Sequence, residues 1–554
     1  MEYEKYDDTT VEGIFSSLEL MDDAAWYLLE NYAKSDIFND ITGNMLSLTA
    51  NSQFAVLKML GKDHCLFKTL ENIKATVTRL INGEYSDRMQ MKIQFELAPL
   101  IEEAYLYARY YLWAVTSPER MQQYKTEIPK LCANKYILEY EKTGEYPYDI
   151  AFTITGYNKL KYTKLCIESL LKNIPSGLKY QLILVNHGSS DGTLEYFKTI
   201  DPSIQIDFKV NGGGYNCFAR FLQAKYVIAI SNDIVIGTNS IQNMIACFKS
   251  DPQIAFVVPA TSAVSNLQTI PADYSDLEGF EEFARKNNIS DPYRWEQRTR
   301  LVDPIAMYNA VQLYGENGIF DTGLFLGEEV NAFPDDRMAM IYRHLGYKMY
   351  LAKDAYCHHF GSITIGEELK KNNDTTIYDR GRKHFESLYG FDPWGTGFCF
   401  PVPFLNRIVG NDENHHIDVL GINCGQGSAS LKIKEQIKEY CHNTDVTLVN
   451  ITDEERYVAE LRVTSDDVQL IAKFADFENF MNEHRFSYIV WHDPFLRTEN
   501  QTGTIEILFK SLSDTGKLII HKPQDKVGLN NVGYQTEEIG DGWYVISKLI
   551  KQFE

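Results

Sequence analysis

The sequence predicts an α/β protein in which a helical N-terminal domain precedes two units of alternating strands and helices. The first 145 residues contain a single proline before Pro118, and their apolar residues recur at the spacing of one helix face. At Tyr146 the pattern changes to short apolar runs, each followed by a polar turn and an amphipathic stretch. The same pattern starts again near residue 416. Alternation of this kind predicts parallel sheets with right-handed crossovers.

Bulk composition excludes several classes of protein. The net charge of −22, without a dense run of Lys and Arg, argues against a nucleic-acid-binding protein. Nine scattered cysteines without a C-x-x-C pair indicate a reducing compartment. The acidic N-terminus is unlike a secretory signal, and no stretch of about 18 apolar residues predicts a transmembrane segment. A soluble cytoplasmic protein is therefore expected.

The helical period of the N-terminal domain is clearest in its second half. Apolar residues there fall on one helix face: Leu97, Leu100, Ile101, Ala104, Tyr105, Ala108, Leu112. Such a stripe is typical of the core of a bundle. A plain helical bundle without chemistry of its own is predicted for this domain.

The stretch Tyr226–Gly237 is the central feature of the first α/β unit. Its apolar run ends abruptly in Ser231, Asn232 and Asp233, and a second apolar run follows at once. A short apolar run bounded by polar residues is typical of a buried parallel strand, and such sheets bind ligands at the carboxyl ends of their strands. The Asp233 carboxylate is therefore a candidate ligand for a divalent cation that also binds a diphosphate. The alternative is an Asx turn between two strands.

Two earlier strands lead to the same edge of the predicted sheet. The segments YDIAFTITGYN and YQLILVNHGSSDGTLEYF each join an apolar strand to a polar turn. The second delivers Asn186 and His187 to the edge where Asp233 emerges, and Asp191 is expected to cap the next helix. The third unit, NGGGYNCFARFLQA, contains glycines that let a backbone approach a ligand closely. Its spacing is not G-x-G-x-x-G, so no dinucleotide site is predicted there.

These motifs, in this order and spacing, resemble the nucleotide-sugar half of family 2 glycosyltransferases with the A-type fold. The segments that carry the resemblance are FTITGYN, LVNHGSSDGTLEYF, NGGGYNCFARFLQA and YVIAISNDIVI. The acceptor half of that family is similar to NGIFDTGLFLG and FPDDRMAMIYRHLGYKMYLAKDAYCHHFGSIT. The resemblance implies a Rossmann-like A-type glycosyltransferase domain over residues 146–390, after a helical domain over residues 1–145.

The resemblance implies donor-binding roles at the carboxyl ends of the strands. Thr155, Tyr157 and Asn158 would contact the nucleoside, and Asn186 stands where the family has an acid that contacts uracil. Further donor contacts are implied in the glycine-rich loop and the D-x-D-like motif: Asn211, Gly213, Asn232.

A metal site is implied in the same way. Asp233 and His359 would bind a divalent metal, Mn²⁺ or Mg²⁺, against the donor diphosphate, because a cation neutralises the charge that the departing diphosphate gathers. Ser231 replaces the first Asp of the D-x-D motif, which leaves a single carboxylate here. For His358 and His359 the alternative is a satisfied core histidine.

Asp335 and Asp336 are the implied catalytic residues, one of which would be the general base. An inverting transfer needs a carboxylate that takes the proton of the acceptor hydroxyl opposite the leaving diphosphate. Counting back from Gly346 favours Asp335, whereas reading the adjacent pair as the motif itself favours Asp336. Acidic capping of the helix after Pro334 is the structural alternative.

The C-terminal part shows a second resemblance, beyond a linker at residues 391–415 that is rich in proline and glycine. The segments HIDVLGINCGQGSASLKIKEQI, DVTLVNIT, FSYIVWHDPF and SLSDTGKLIIHKP are similar to the Rossmann-like core of S-adenosylmethionine-dependent methyltransferases. Residues 416–554 are therefore expected to form a methyltransferase-like domain.

Key positions of that second family are altered here. Gly421 and Asn423 replace an expected acid and glycine, and Asn450 replaces the acid that would hold the ribose hydroxyls, although Gly425 and Gly427 remain. The domain is expected to be degenerate, and S-adenosylmethionine is not an expected cofactor.

The whole sequence predicts an inverting glycosyltransferase that moves a hexosyl or N-acetylhexosaminyl group from a nucleotide diphosphate sugar, with UDP as the expected nucleotide. The acceptor is expected to be a glycan or a protein such as flagellin, in a bacterial cytoplasm. Two alternatives stay open: a bifunctional enzyme that also methylates, and a non-catalytic binding module on a decayed scaffold. Tyr293 and Trp295 are candidates for sugar stacking, with ordinary packing as the alternative.

Overall fold

The structure is a computed structural model that describes residues 6–84, 89–211, 217–315, 318, 334–361, 377–393, 415–492, 501–521, 534–540 and 542–548. These residues form a helical unit and two separate β-sheets flanked by helices. The prediction of an α/β protein is confirmed. Within these ranges no helix is both long enough and apolar enough to cross a membrane.

Helices make up the chain as far as Thr143. Their bounds are α1 Asp8–Asn31, α2 Ser35–Met59, α3 Cys65–Ile81, α4 Met89–Lys92, α5 Ala98–Ala108, α6 Pro118–Cys132 and α7 Lys135–Thr143. The predicted apolar stripe lies in the core, since Leu97, Leu100, Ala104 and Leu112 are all 1% exposed or less. The stripe therefore holds the bundle together rather than facing solvent.

The central sheet contains nine strands in the order β3-β2-β1-β4-β8-β6-β9-β5, with β7 paired to β9. Strands β3, β2, β1 and β4 run parallel to one another, as the short apolar runs predicted. The bounds are β1 Tyr148–Gly156, β2 Tyr180–His187, β3 Ile204–Phe208, β4 Ala224–Ser231, β5 Ile234–Val235, β6 Ile254–Thr261, β7 Trp295–Arg298, β8 Ile305–Asn309 and β9 Lys348–His359.

Seven helices accompany this sheet within the described residues. They are α8 Leu160–Asn173, α9 Thr193–Ile200, α10 Ser240–Lys249, α11 Leu277–Asn287, α12 Ala310–Tyr314, α13 Pro334–His344 and α14 Ile377–Tyr389. The Asp191 carboxylate accepts hydrogen bonds from Leu160 N (2.7 Å) and Thr193 N (3.2 Å), so it satisfies free amides at the start of two helices. This agrees with the capping role predicted for Asp191.

The direction of β8 decides what reaches the ligand-binding edge of the sheet. Strand β8 lies antiparallel between β4 and β6, and its first residue, Ile305, pairs with Ile230 near the carboxyl end of β4. The segment that enters β8 therefore arrives beside Ser231, where parallel sheets bind their ligands.

The second sheet, in the described residues, has seven strands in the order β12-β11-β10-β13-β14-β16-β15. Its pairs are parallel from β12 to β14, and the pairs β14–β16 and β16–β15 are antiparallel. The strand order reverses direction between β10 and β13, which is where open α/β sheets bind ligands. Its elements are β10 Ile417–Ile422, α15 Ser428–Cys441, β11 Val446–Thr452, α16 Val458–Thr464, β12 Asp467–Leu470, α17 Phe474–Glu483, β13 Phe486–Trp491, α18 Gln501–Ser511, β14 Leu512–His521, β15 Tyr534–Gly540 and β16 Trp543–Lys548.

The helical domain packs against the β3 edge of the central sheet through a buried polar contact. Arg79 on α3 donates from Nη1 to Asp207 Oδ2 (2.7 Å) and from Nη2 to Asp207 O (3.0 Å). Glu96 lies beside this contact and pairs with Lys92 (2.7 Å). Paired and hydrogen-bonded charges can be buried in this way without leaving an isolated charge.

Candidate active site

Asp233 and His359 face each other at the edge of the central sheet. Asp233 follows β4, and the short strand β5 then runs antiparallel to β9, so that Ile234 pairs with His359. This pairing brings His359 Nε2 to 3.4 Å from Asp233 Oδ2. The two side chains are 11% and 12% exposed, so solvent or a ligand can reach them.

Hydrogen bonds to Ala263 and Ser262 fix the position of His359. Its Nδ1 lies 2.5 Å from the carbonyl oxygen of Ala263, and its backbone N–H donates to Ser262 Oγ (2.9 Å). A ring nitrogen that donates to a carbonyl leaves the other nitrogen as the acceptor, which is the usual arrangement of a metal-binding histidine. The arrangement therefore aims Nε2 at Asp233.

The pair fits a divalent metal as two neighbouring ligands. Two ligand atoms in adjacent positions around a metal with bonds of about 2.1 Å lie about 3 Å apart, and the observed separation is 3.4 Å. Burial lowers the pKa of His359, but the hydrogen bond and the charge of Asp233 outweigh it, and the net shift is upward. No group of three or more such ligands occurs among the described residues.

A second acidic cluster lies at the start of α13. Asp335 and Asp336 occupy the first helical turn, where backbone amides favour negative charge. Arg300 binds Asp336 through two nitrogens, one of them Nη2 at 3.4 Å from Oδ2. Asp335 shares a hydrogen bond with Asp303, and Asp303 in turn accepts one from the hydroxyl of Tyr308.

Burial and like charge shift the pKa values of these carboxyls upward. Burial is the main cause of the raised pKa of Asp335, and the charge of Asp303 and their shared hydrogen bond raise it further. Burial also raises the pKa of Asp336 to about 6, against the opposing charge of Arg300. Asp336 is 3% exposed, whereas Asp335 is partly exposed. The Asp336 carboxyl is engaged by Arg300, whereas the Asp335 carboxyl shares a hydrogen bond with Asp303.

A short backbone path joins the Asp233–His359 pair to the acidic cluster at the start of α13. Asp303 comes just before β8, and the next residue, Pro304, accepts a hydrogen bond at its carbonyl from Ser231 N (2.9 Å). Ser231 in turn lies two residues before Asp233. The candidate metal ligands and the Asp303–Asp335 pair therefore both belong to the region around the carboxyl end of β4.

Hydrogen bonds between loops connect the part of the site that is predicted to bind the nucleoside. Thr155 pairs in register with Val185 and Ser231 in the neighbouring strands, and Tyr157 is partly exposed after β1. Asn158 has a φ of 55° and donates from its backbone N to Ser189 Oγ (2.8 Å). This contact ties the loop after β1 to the loop after β2.

Asn186, in the place of the expected uracil-binding acid, is 1% exposed. Its Nδ2 donates to Asp207 Oδ1 (2.6 Å), and its Oδ1 accepts from Ser189 N (3.1 Å). Both polar atoms of the side chain are thus engaged by the protein. Through Asp207, the residue is also connected to Arg79 of the helical domain.

Asn232 has a comparable internal role. Its Nδ2 donates to Asn158 O (3.2 Å) and to Thr163 Oγ1 (2.9 Å), which joins the end of β4 to the loop after β1 and to α8. Asn211 is partly exposed after β3, and Gly213 lies outside the described residues. So do the segment NGIFDTGLFLG beyond Gly318, the end of the H-F-G-S-x-T segment and most of the linker.

Comparison with protein families identifies the central region. The family model "Glycosyl transferase family 2" matches residues 152–303. The central region carries a family 2 glycosyltransferase domain. The matched residues contain Asp233 and end at Asp303, so α13 and His359 lie beyond them. A comparison with curated proteins gives no match.

Three solved glycosyltransferase structures show partial similarity to the chain. They are GalNAc-T7 with UDP, GalNAc and Mn²⁺ (11% identity, 44% of this chain and 52% of that one, TM-score 0.31), the mannosyltransferase PcManGT from Pyrobaculum calidifontis with GDP-Man and Mn²⁺ (15%, 43% and 66%, 0.27), and S. aureus TarS 1-349 (13%, 44% and 73%, 0.29). The chain spans about half of the first structure and about two thirds of the second.

Sequence reasoning missed three residues of the candidate site, Arg300, Asp303 and Tyr308. The only local signal was the Asp-Pro pair before a short apolar run, which alone predicts a turn. Tyr293 and Trp295 follow the packing alternative, because Tyr293 stacks on His442 (4.5 Å between ring centroids) and Trp295 Nε1 donates to Asp354 Oδ2 (2.9 Å).

The altered positions of the C-terminal domain are filled by its own side chains. A Cβ at Gly421 would lie 1.9 Å from Asn450 Oδ1, so Asn450 occupies the space beside this strand. Asn450 Nδ2 donates to Ser465 Oγ (2.7 Å), and Asn423 Nδ2 donates to Asp453 Oδ1 (2.8 Å). These hydrogen bonds connect the residues around the turn after β10 to neighbouring loops. This region lies outside the residues that the family model matches.

Proposed function

We propose that the chain is a metal-dependent, inverting glycosyltransferase that moves a sugar from a nucleotide diphosphate sugar to an acceptor hydroxyl. The observation that carries the proposal is the arrangement around the end of β4, where Asp233 and His359 lie 3.4 Å apart and the Asp303–Asp335 pair is one backbone contact away. A leaving-group site and a proton acceptor within one region are the two requirements of such a transfer.

The metal would be held by Asp233 and His359, with Mn²⁺ or Mg²⁺ as the expected ion. When bound, it would neutralise the charge that gathers on the departing diphosphate. Ala263 supports this role because its carbonyl fixes the ring of His359. Ser231 adds no carboxylate, so Asp233 and His359 are the two ligands proposed from the described residues.

We assign the general base to Asp335 and a positioning role to Asp336. Asp336 is buried and engaged by Arg300, which keeps it from an acceptor hydroxyl. Burial and the neighbouring Asp303 raise the pKa of Asp335, and a raised pKa makes its carboxylate the stronger base. Asp303 would orient the Asp335 carboxyl, and Tyr308 in turn donates a hydrogen bond to Asp303.

The donor would be bound by the loops that carry Thr155, Tyr157, Asn158 and Asn211, with Gly213 and Asn232 as further predicted contacts. UDP is the nucleotide expected from the family resemblance. Asn186 would act indirectly, because its amide is committed to Asp207 and Ser189. We therefore expect the loop backbones rather than the Asn186 side chain to contact the base.

The transferred group would be a hexosyl or N-acetylhexosaminyl unit, and the acceptor a glycan or a protein such as flagellin, in a bacterial cytoplasm. The second candidate is a bifunctional enzyme whose C-terminal domain also methylates. The reversal of strand order between β10 and β13 favours a Rossmann-like ligand-binding scaffold there. Binding of S-adenosylmethionine to the full chain would support this second candidate.

Turnover of a panel of nucleotide sugars with Mn²⁺ tests the main proposal. We expect the wild type to consume one donor and to form a product of inverted anomeric configuration by NMR. Asp335→Asn should lower kcat by about 100-fold or more, since a positioned base contributes 10²- to 10⁴-fold. Asp251→Asn removes a surface carboxylate of the same domain and should leave kcat unchanged. A retained configuration, or no turnover of any donor, would refute the proposal.

A further inference from the structure

The turn after β10 in the C-terminal domain faces the central domain. All residues from 421 to 430 are buried. Ser428, the first residue of α15, lies with its Oγ 2.5 Å from Thr299 Oγ1 of the central domain. The surface at which a Rossmann-like domain would present a ligand site is here part of an interface within the chain.

Strand β7 extends this interface over the residues before Thr299. Glu296 pairs with Lys432 of α15 (2.5 Å), and both side chains are nearly fully buried. Gln297 Nε2 donates to Val463 O at the end of α16 (2.9 Å). The C-terminal domain therefore contacts the segment from Glu296 to Thr299 through an ion pair and through side-chain hydrogen bonds.

The other end of α13 binds the C-terminal domain directly. Arg343 Nε donates to Glu460 Oε2 (3.0 Å), and His344 Nε2 lies 2.7 Å from Glu460 Oε1. Arg343 is 1% exposed and Glu460 is 2% exposed. The guanidinium of Arg343 also donates to the carbonyl of Thr299, so one side chain links α13, Thr299 and Glu460.

These contacts converge on the segment that fixes the acidic start of α13. Thr299 contacts Ser428 through its side chain and Arg343 through its carbonyl, and the next residue, Arg300, binds Asp336. We propose that the C-terminal domain is a positioning domain for the acid-bearing helix, with Glu460 and Ser428 as positioning residues. Ser428 contacts Thr299, and Glu460 binds Arg343 and His344 at the end of α13.

The proposal rests on the proposed function, because it needs α13 to carry the base. A small displacement of Asp335 and Asp336 would reduce the rate far more than donor binding, since near-attack geometry is sensitive to shifts of about 1 Å. A merely stabilising interface would instead change the amount of folded protein and leave kcat per folded molecule unchanged.

The test uses the full chain with Glu460→Gln and Ser428→Ala. For Glu460→Gln we expect kcat to fall by about 10- to 100-fold while the donor KM changes by less than about two-fold. Amide hydrogen exchange in residues 334–344 should accelerate, and exchange in β1 and β2 should not. Lys434→Met removes an exposed ion pair of the same domain with Asp466 and should change neither readout.

A second variant covers the case in which Glu460→Gln does not fold, because Arg343 would be left as an unpaired buried charge. Arg343→Met with Glu460→Leu removes both charges and the bond to Thr299, and it should fold yet show the same loss of kcat. Unchanged kcat and unchanged exchange in residues 334–344 would overturn the proposal. If the wild type turns over no donor, the proposed function is refuted. Faster exchange in residues 334–344 of the Glu460 variants would then still show that the C-terminal domain holds α13 in position.

Discussion

At the scale of single residues, the site depends on a pair of carboxyls that share a hydrogen bond. Burial is the main cause of the raised pKa values of both Asp303 and Asp335. The charge of Asp303 raises the pKa of Asp335 further, and the charge of Asp336 raises that of Asp303. A carboxylate with a raised pKa is a stronger base than an ordinary one. The arrangement therefore suits deprotonation of a sugar or protein hydroxyl.

The pair makes a prediction about the pH dependence of kcat/KM. The base must be charged, so activity should fall as the pH drops through the raised pKa of Asp335. Asp303→Asn removes the neighbouring charge that helps to raise this pKa, and the acidic limb of the profile should move down by about one pH unit. The measurement is kcat/KM for the donor between pH 5 and pH 9, together with the acceptor.

Asp354→Asn is the matched control for this profile. Burial also raises the pKa of Asp354, but this carboxyl binds Trp295 rather than the site. Its substitution should leave the acidic limb unchanged. An acidic limb that does not move in Asp303→Asn would contradict the assignment of Asp335 as the base.

At the scale of secondary-structure elements, the loop after β1 is attached to the end of β4. Asn232 makes this attachment through Asn158 O and Thr163 Oγ1. It is 8% exposed, and its amide hydrogens point into the protein. The residue therefore orders the donor side even where it makes no direct contact.

Thr163→Val tests this indirect role, because it removes one hydrogen-bond partner of Asn232 while Thr163 itself is not a predicted donor contact. An unpartnered buried amide hydrogen costs about 1–3 kcal/mol, so we expect a lower melting temperature and a raised donor KM. Asn232→Ala should show the same two changes. A raised KM in Asn232→Ala with an unchanged KM in Thr163→Val would mean instead that Asn232 binds the donor itself.

The strands and their ends could be predicted from local pattern. The apolar run before Ser231 predicts β4 and places Asp233 at its end, and the acidic pair after Pro334 predicts the start of α13. The partners of these residues could not be predicted. Asp303 reaches the site only because β8 runs antiparallel to β4, which local sequence does not encode.

The same limit applies to the histidine. The sequence indicates His359 as a candidate ligand, but the Ala263 carbonyl that orients its ring is a backbone group without a sequence signal. Asn186 and Asn232 show the converse case. Their position in a motif predicts contact with a ligand, whereas in the structure their buried amides bind other protein groups.

At the scale of the whole molecule, both flanking domains reach the central sheet near its functional edge. Arg79 of the helical domain binds Asp207, which holds Asn186 on the nucleoside side. Glu460 of the C-terminal domain binds Arg343 on the helix of the base. Neither contact follows from a motif, because each joins residues more than 100 positions apart. Both flanking parts therefore contact residues of the central sheet and of α13 that adjoin the candidate site.

The central claim is that Asp233 and His359 bind the metal that assists departure of the diphosphate. The most direct measurement is donor turnover against Mn²⁺ concentration for the metal-stripped wild type, Asp233→Ala and His359→Ala. Asp514→Ala, which removes a fully exposed carboxylate, serves as the control.

We expect no turnover by the stripped wild type and its full recovery with Mn²⁺. Asp233→Ala should lose about 100-fold or more, because metal stabilisation of the leaving group is worth several kcal/mol. His359→Ala should need at least about ten-fold more Mn²⁺ for half-maximal turnover. Turnover that resists metal removal, or that survives in Asp233→Ala, would contradict the claim.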